Sequence, residues 1–279
     1  MDPYQDKVAV ITGAGSGIGR ALAENLAARG AVVVLADKNG KAVEEAAARI
    51  RKKGGKAQAR ELDVTDREAV KQVIEQAWRE HGRLDYLFNN AGIAVGGEAR
   101  DFEYEDWKEV LDVNLYGVIH GVLAAYPLML SQGFGHIVNT SSLSGLFPHP
   151  GEISYTASKY AIVGLSHVLR VEAADLGVKV SVVCPGKIET AIYHTSKVIG
   201  YDREKALAMW PKGITPEECA EEILKGVARN QATIPITRLA KFLWFLHRLS
   251  PNLGLWLAQR WGMKARAARL EGETNDHKQ

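Results

Sequence analysis

The residues best suited to proton transfer are a phenol and an ammonium group four positions apart, Tyr155 and Lys159. On a helix, this spacing places both side chains on one face. A free tyrosine has a pKa near 10, so it exchanges protons poorly at neutral pH unless a nearby cation stabilises its phenolate. Lys159 could supply that cation, at a gain of roughly 3 to 4 kcal/mol. The spacing suggests an acid–base site, although a surface Tyr and Lys on an amphipathic helix would show it as well.

A glycine-rich turn follows the first apolar run, Val8 to Ile11. Its glycines are spaced G-x-x-x-G-x-G, not G-x-G-x-x-G. Between a strand and a helix, such a turn lets backbone amides approach a pyrophosphate at the positive helix end. Glycines alone could mark only a tight turn, but this setting favours a nucleotide site. Its candidate residues are Gly13, Ser16, Gly17, Ile18 and Gly19.

An acidic residue, Asp37, ends the second apolar run. A carboxylate at that strand tip can accept both ribose hydroxyls of an adenosine and would repel a 2′-phosphate, which favours NAD over NADP. The adjacent Lys38 weakens this inference. Asp37 could instead be a solvated residue that opens a turn before Asn39 and Gly40.

Further candidate cofactor residues follow other strand-like runs. Ligands collect at the carboxyl ends of strands in open parallel sheets. The candidates there are Asp63, Val64, Asn90, Ala91, Gly92, Pro185 and Gly186.

The elements that must position these residues alternate along the chain. Continuous apolar runs indicate strands covered on both faces, and longer stretches between them have helical periodicity. Such alternation predicts an α/β fold: one Rossmann-like, doubly wound domain with a parallel sheet of about seven strands and helices on both faces. Thr65 and Thr215 are plausible helix caps. We expect the catalytic domain to span 1–237, with a polar segment at 187–212, and a basic amphipathic extension at 238–279.

Four motifs occur together in a set order: Thr-Gly-x-x-x-Gly-x-Gly, Asn-Asn-Ala-Gly, Tyr-x-x-x-Lys and Pro-Gly. Over almost its whole length the chain resembles the compact, single-domain short-chain dehydrogenases/reductases. The resemblance implies an active site of Asn114, Ser142, Tyr155 and Lys159. Of the two serines that follow a strand-like run, Ser142 has the family's usual separation from Tyr155, but Ser141 remains an alternative, since a one-residue slip reverses the face.

The resemblance also implies a role for each residue. Ser142 would bond the substrate oxygen, and Tyr155 would transfer the proton. Lys159 would bind the nicotinamide ribose and lower the pKa of Tyr155. Asn114 would hold a water that links Lys159 to solvent, unless it is only a helix-interior amide bonded to backbone.

The implied reaction is hydride transfer between a secondary alcohol and its ketone, with NAD as the cofactor and NADP less favoured. Ile188 and Thr190, after Pro185 and Gly186, match the element beside the nicotinamide carboxamide, although Thr190 could simply cap the next segment. The alternative function is an NAD-binding sensor or scaffold of the same fold without turnover.

The segment 187–212 lies where relatives carry a mobile lid. Aromatic and aliphatic residues there and in other loops suggest a pocket for a lipophilic small molecule, although each could instead fill a local core. The candidates are Val95, Leu143, His149, Ile192, Tyr193 and Trp210. No histidine or cysteine falls in a metal-ligand pattern, so we expect no metal.

Composition limits the partners and the location. The 35 Lys and Arg residues against 33 Asp and Glu give a net charge of +2, so we expect no nucleic-acid partner. The amino terminus lacks the layout of a signal peptide, and no segment meets the membrane-span criterion, which predicts a cytoplasmic protein. The basic, aromatic stretch 238–270 could contact a membrane surface, cover the substrate entrance or pack on another subunit. Relatives form dimers and tetramers through the helices expected at 107–131 and 155–176, so a homodimer or homotetramer is expected.

Overall fold

The computed structural model describes residues 2–209 and 211–270. Its centre is a parallel sheet of seven strands in the order β3-β2-β1-β4-β6-β7-β9. Two short strands, β5 and β8, pair with each other beside it. The strands are β1 (Val8–Thr12), β2 (Val32–Asp37), β3 (Lys56–Glu61), β4 (Tyr86–Asn89), β5 (Val95–Gly96), β6 (Gly135–Thr140), β7 (Val178–Pro185), β8 (Lys197–Val198) and β9 (Thr233–Ile236).

Helices follow most of these strands. They are α1 (Gly17–Ala28), α2 (Gly40–Lys52), α3 (Arg67–His81), α4 (Tyr104–Leu111), α5 (Gly117–Gln132), α6 (Ile153–Glu172), α7 (Ile192–Thr195), α8 (Arg203–Ala208), α9 (Pro216–Ala228), α10 (Arg238–Leu249) and α11 (Pro251–Ala265). Helices α1, α2 and α9 pack on one face of the sheet, and α3, α5 and α6 on the other. The predicted doubly wound α/β fold is confirmed.

Burial explains the strand sequences. All five residues of β1 are buried, because the strand lies in the middle of the sheet between two helical layers. In contrast, β3 is polar and mostly half-buried, since it lies at one edge of the sheet. A continuous apolar run therefore marks the central strand β1 here, whereas the edge strand β3 lacks that signal.

One of the two expected helix caps is correct. Thr215 and Glu218 form a reciprocal capping box at the start of α9. The expectation for Thr65 is wrong, because Asp66 accepts the amide of Ala69 at the start of α3. The Thr65 hydroxyl instead donates to Asp63, at 2.8 Å.

Contrary to expectation, one helical stretch among the described residues is long and apolar enough to cross a membrane by length and composition. It runs unbroken through α4 and α5, from Tyr104 to Gln132, with a mean hydropathy of 1.4 and 33% of the window buried. The stretch packs against α3, α6 and the sheet. A core helix passes the same test, so length and composition are weak evidence for a membrane span.

The extension after β9 folds back onto the preceding part of the chain as two helices, α10 and α11, separated at Ser250. Two arginines fix its far end to a loop near the cavity. Arg269 donates to both carboxylate oxygens of Asp101, at 2.7 and 2.8 Å, and Arg266 donates to Glu98, at 2.7 Å. These two cations are therefore engaged in ion pairs and do not belong to an open basic surface.

Candidate active site

A single cavity of about 1320 Å³ runs along the carboxyl ends of the central strands. It begins at the glycine turn after β1, passes the end of β6 and the start of α6, and ends against α11. The sheet order places these ends side by side, although their residues are far apart in sequence. A cavity at this edge is the expected ligand site of an open parallel sheet.

The glycine turn leaves room for backbone to approach a ligand. Gly13 and Gly17 both have positive φ values, of 66° and 51°, and both line the cavity together with Ser16 and Ile18. Gly19 does not line it. A Cβ on Gly19 would lie 2.2 Å from the carbonyl oxygen of Gly13, so this glycine permits α1 to pack closely on the turn.

Thr12, which sequence reasoning did not assign to the site, fastens this turn to the next strand end. Its Oγ1 accepts the backbone amides of Asn90 and Ala91, at 3.0 and 3.1 Å. The Asn90 side-chain amide donates to the carbonyl of Thr12, at 3.1 Å. The position of Thr12 directly before Gly13, within the glycine-rich motif, is the sequence feature that could have identified it. The cavity-lining residues Asn90, Ala91 and Gly92 are thereby held against the glycine turn.

Asp37 lies at the rim of the same turn. One carboxylate oxygen accepts the amide of Gly15, at 2.9 Å, and the other accepts that of Asn39, also at 2.9 Å. Lys38 pairs with Asp63 instead, at 3.0 Å. A backbone bond from Thr65, a bond from its hydroxyl and the charge of Lys38 together hold the pKa of Asp63 below its usual value against the effect of burial.

These features fit a dinucleotide. The turn has no side chain at Gly13 and Gly17, which line the cavity, a helix begins beside it, and a carboxylate stands at the tip of the second strand. Asp63 and Val64 also line this part of the cavity.

The proton-transfer candidates lie together in the middle of the cavity. Ser142, Tyr155 and Lys159 all line it, and the Nζ atom of Lys159 lies 5.3 Å from the centre of the Tyr155 ring. Lys159 is 3% exposed and donates to the carbonyl of Thr140, at 3.0 Å. Burial lowers the pKa of Lys159 to about 8.

The expected lowering of the tyrosine pKa by Lys159 is not found in this structure. Burial raises the pKa of Tyr155, and the charge of Glu152 raises it further, while a hydrogen bond with Ser142 opposes the change. The phenol is therefore held in its protonated form at neutral pH.

The two neighbouring serines differ in their surroundings. The hydroxyl of Ser142 lies close enough to Tyr155 to lower the pKa of the phenol, and it accepts the amide of Ser144, at 3.1 Å. Ser141 is buried, and its hydroxyl donates to the carbonyl of Lys159, at 2.8 Å. The Ser141 hydroxyl is thus engaged with the backbone of α6, whereas that of Ser142 acts on the phenol.

Asn114 lies in a single π-helical segment between α4 and α5 and is fully buried. Its side chain bonds both the amide and the carbonyl of Ile93, at 2.9 and 3.0 Å, and donates to Ser158, at 3.1 Å. Asn114 therefore makes the backbone hydrogen bonds that a purely structural amide would make. A Cβ on Gly92 would lie 3.2 Å from the Asn114 Oδ1 and 3.4 Å from the Lys159 Nζ, which places these groups close to each other.

The remaining cofactor candidates close the opposite wall. Pro185, Gly186, Ile188 and Thr190 all line the cavity. The methyl group of Thr190 approaches Gly17 across it, since a Cβ there would lie 3.1 Å away. Ala191, not Thr190, occupies the cap position of α7, so the alternative role for Thr190 is not found.

The substrate candidates are placed unevenly. Leu143, His149, Ile192 and Tyr193 line the cavity. Val95 does not: it is 1% exposed within β5, and its neighbours Ala94 and Gly96 form the wall instead. Trp210 lies outside the described residues.

Two parts of this wall contain no residue named as a site candidate from the sequence, although covering the substrate entrance is one of the three alternatives given above for the stretch 238–270. The first comes from the extension, through Leu255, Ala258, Gln259, Trp261, Gly262 and Met263 of α11. The second is polar and consists of Ser144 and Glu152. Burial raises the pKa of Glu152 to about 7 and lowers that of His149 to about 3. Within 2–209 and 211–270, no group of three or more His, Cys, Asp or Glu side chains could hold a metal ion.

Comparison with known proteins bears on the family. The model for short chain dehydrogenases matches residues 7–198. SadH of Mycobacterium tuberculosis, a protein named only as an oxidoreductase, is 37% identical over 255 residues, covering 89% of this chain and 92% of SadH. The 3-oxoacyl-(acyl-carrier-protein) reductase FabG of Thermotoga maritima is 38% identical over 222 residues, covering 79% of this chain and 89% of FabG.

A solved structure shares the architecture. It is the crystal structure of a short chain dehydrogenase/reductase from Burkholderia phymatum in complex with NAD. Its TM-score is 0.83 at 31% sequence identity, and the match covers 91% of this chain and 96% of that one. The family model and these relatives agree with the motifs, the fold and the cavity: the chain belongs to the short-chain dehydrogenase/reductase family of oxidoreductases.

Proposed function

We propose that this protein is an NAD(H)-dependent oxidoreductase that interconverts a lipophilic secondary alcohol and its ketone, with Tyr155 as the general acid and base. The observation that carries the proposal is the meeting of Ser142, Tyr155 and Lys159 in one cavity with the glycine turn. In this proposal residues 1–237 form the catalytic domain, and the extension completes its substrate wall. Bound nicotinamide supplies the hydride chemistry.

The residues divide the remaining work. The Ser142 hydroxyl, which lines the cavity with Tyr155, would donate to the substrate oxygen and hold it beside the phenol. A phenol with a raised pKa carries a proton at neutral pH but is a weak acid, so its donation to a ketone requires that the resulting phenolate be stabilised. Lys159 would have to provide this stabilisation in both directions, which its position over the ring allows.

Asn114 would act through Lys159. Its amide lies near the ammonium group at the π-helical segment, and π-bulges are frequent at functional sites. We propose that this amide and the carbonyl of Ile93, which it bonds, support the water that links Lys159 to solvent. Replacement of Asn114 would then slow proton exchange without removing the phenol.

The proposed preference for NAD rests on Asp37. Its carboxylate at the rim of the turn would accept the ribose hydroxyls and repel a 2′-phosphate, and Lys38 is engaged with Asp63. We expect wild type to bind NADH more tightly than NADPH. Asp37→Ala should reduce that ratio, whereas the exposed Asp175→Asn should not. An unchanged ratio in Asp37→Ala would remove this carboxylate from cofactor choice.

The activity is tested by following absorbance of reduced nicotinamide with a panel of lipophilic secondary alcohols and ketones. Turnover of at least one member is the expected result. Tight NADH binding without turnover of any member would favour the alternative, a cofactor sensor or scaffold. The relative named above as a reductase, FabG of Thermotoga maritima, is consistent with the ketone-reducing direction.

Peripheral membrane contact is a further part of the proposal. Three apolar side chains of α10 are strongly exposed, Phe242, Phe245 and Leu249. Lys241 and Arg248 are exposed beside them. Such a helix suits the surface of an anionic bilayer, to which a protein of the cytoplasm would bind reversibly.

Flotation with liposomes tests the contact. We expect more protein to float with anionic vesicles than with neutral ones, and a Phe242→Ser, Phe245→Ser variant to lose the difference. Truncation is the weaker test, because it also removes α11 from the cavity wall. Equal flotation of the variant and the wild type would exclude α10 as the contact.

We also propose a homodimer or homotetramer built on α5 and α6. These helices leave apolar side chains uncovered, among them Leu123, Val168 and Val171, which are 54%, 58% and 75% exposed. Light scattering should show an oligomer that a Val168→Glu, Val171→Glu variant dissociates. A wild-type monomer would exclude this surface.

A further inference from the structure

We propose that Glu152 determines substrate specificity, and that its carboxylate accepts a hydrogen bond from a hydroxyl group of the substrate other than the reacting one. The inference rests on the proposed dehydrogenase activity and narrows its substrate class. The substrate would be a hydroxylated lipophilic ketone or the corresponding diol, not a wholly apolar compound.

Glu152 is held firmly at the edge of the cavity. It lies three positions before Tyr155, immediately ahead of α6, and its backbone forms a bridge with Gly97. The side chain makes no capping bond to the helix. Instead it lines the cavity with 27% of its surface exposed.

The contacts of the carboxylate leave it able to accept another donor. Its Oε2 lies 3.4 Å from the hydroxyl of Ser144 and 3.4 Å from the Nδ1 of His149. Among residues 2–209 and 211–270, both of these contacts are made by Oε2, and the other carboxylate oxygen, Oε1, accepts no hydrogen bond. A carboxylate offers about four acceptor positions. Part of that capacity is therefore available to a ligand.

The groups around the carboxylate do not neutralise it. His149 is uncharged at physiological pH, because burial lowers its pKa to about 3. The two phenols that interact with Glu152, Tyr155 and Tyr193, are kept protonated by raised pKa values, to which Glu152 itself contributes. Within the described ranges, its ion-pair partners include no lysine or arginine. A hydroxyl donor would thus meet an acceptor of full negative charge once Glu152 is ionised.

Helix α11 of the extension packs against the residues that neighbour Glu152. The ring of Trp261 in α11 packs edge-on against His149, with centroids 4.4 Å apart and planes at 83°. The next residue, Gly262, lies against Pro150, since a Cβ there would be 3.2 Å away. His149 therefore stands between the extension and Glu152, so that the position of the carboxylate depends on both.

The other residues of the cavity wall explain why a substrate needs a hydrogen-bond donor near Glu152. Leu143, Ile192, Leu255 and Met263 offer a substrate only apolar contact. An apolar ligand that filled the cavity would strip water from Glu152 without replacing its hydrogen bonds, which is costly for a charged group. A ligand with a hydroxyl group at that corner would avoid the loss. For a partly exposed carboxylate, we expect a preference of about 10- to 100-fold in kcat/KM.

The test uses pairs of ketones that differ only by one hydroxyl group, placed two to five bonds from the carbonyl. Each pair is assayed with NADH on wild type, Glu152→Gln, Glu152→Leu and the surface control Glu45→Gln. Glu152 also influences Tyr155, so absolute rates will change in its variants. The ratio of kcat/KM within a pair cancels that effect, because both members meet the same phenol.

We expect wild type and Glu45→Gln to prefer the best hydroxylated ketone by about 10- to 100-fold. In Glu152→Leu the ratio should fall to within about threefold, and Glu152→Gln should lie between. The wild-type ratio should also rise with pH through about 7, the pKa of Glu152, because only the carboxylate accepts strongly. In Glu152→Gln the ratio should be independent of pH, which a merely structural role would not explain.

The outcomes separate the two proposals. Turnover with equal ratios in wild type and Glu152→Leu would overturn this inference and leave the dehydrogenase proposal standing. NADH binding without turnover of any pair would overturn both. If Glu152→Leu proves unfolded by circular dichroism, the ratio and the pH profile of Glu152→Gln decide the matter in the same way.

Discussion

The adjacent residues Ser141 and Ser142 have hydroxyl groups with different roles: that of Ser142 is the proposed catalytic group, and that of Ser141 makes a structural hydrogen bond. The Ser142 hydroxyl lowers the pKa of the phenol and accepts the amide of Ser144, whereas the Ser141 hydroxyl donates to the backbone of α6. Sequence spacing left the choice open, because alternation along a strand depends on register. The structure supplies the register: β6 pairs with β7 from Gly135 to Thr140, directly before the two serines.

Alanine substitutions should separate these two roles. We expect Ser142→Ala to lower kcat/KM by about 100-fold or more with little change in stability, because a positioned donor to the substrate oxygen is lost. Ser141→Ala should cost about 1 kcal/mol of unfolding free energy, because the carbonyl of Lys159, which lies within α6, loses a second, buried donor. Steady-state kinetics and urea denaturation measure the two effects. Equal losses of activity in both variants would refute the distinction.

The Tyr155 and Lys159 pair shows what residue spacing can and cannot predict. Residues four positions apart on a helix lie on the same face, so the spacing predicts that the two side chains point the same way. Both do line the same cavity. The pKa values depend instead on burial and on Glu152, which no local pattern reports. Spacing along one element is readable from sequence, whereas the environment comes from elements distant in the chain.

At the scale of the elements, the glycine turn and the start of α1 form one rigid unit. Gly19 lets the helix approach the carbonyl of Gly13, and Thr12 fastens the turn to the end of β4. The sequence predicted the turn and its place between strand and helix. It could not show that Gly19 serves packing while Gly13 and Gly17 line the cavity, because the motif does not distinguish these uses.

Gly19→Ala should therefore reduce both stability and nucleotide binding. The added methyl group would meet the Gly13 carbonyl at 2.2 Å. We expect a loss of about 3 kcal/mol in unfolding free energy and weaker NADH binding, since the turn must shift. The control is Gly54→Ala, which has a φ of 83° and nothing within 4 Å of the new Cβ. It should cost about 1 kcal/mol for the left-handed backbone and leave NADH binding unchanged. Unchanged NADH binding in Gly19→Ala would contradict the account.

At the scale of the whole molecule, the chain before the end of β9 and the extension line one cavity. The ion pairs of Arg266 and Arg269 fix the end of the extension, and Trp261 reaches His149. The fold class could be predicted because alternating strands and helices determine it. The wall made by α11 could not, because the amphipathic pattern of a helix gives its apolar face but not its partner.

Acid stability is a property of the assembled core. His136 lies buried in β6, where its Nε2 contacts the hydroxyl of Ser181 at 2.9 Å, and burial lowers its pKa to about 3. Between pH 6.5 and 3 the unfolded chain therefore binds a proton that the folded chain does not. Stability conferred by the neutral imidazole is full above pH 6.5 and is lost as the pH falls.

Because His136 is protonated only in the unfolded chain, we expect it to lower the free energy of unfolding by roughly 2 kcal/mol at pH 5 relative to pH 7.5. Urea denaturation of wild type and His136→Gln at both pH values isolates it, because other groups titrate equally in both proteins. The variant should lose about 2 kcal/mol less over this range, and the exposed His194→Gln should behave as wild type. Identical pH dependence in His136→Gln and wild type would show that His136 is not held neutral.

The central claim is that the Tyr155 hydroxyl transfers the proton beside bound nicotinamide. The most direct measurement compares Tyr155→Phe with wild type and with Tyr160→Phe, which removes an exposed hydroxyl from the same helix. With the best secondary alcohol from the panel, Tyr155→Phe should lose at least about 1,000-fold in kcat, while its NADH affinity, measured by fluorescence titration, stays within about threefold of wild type. Tyr160→Phe should match wild type in both. Retention of turnover by Tyr155→Phe would contradict the assignment of the proton-transfer group.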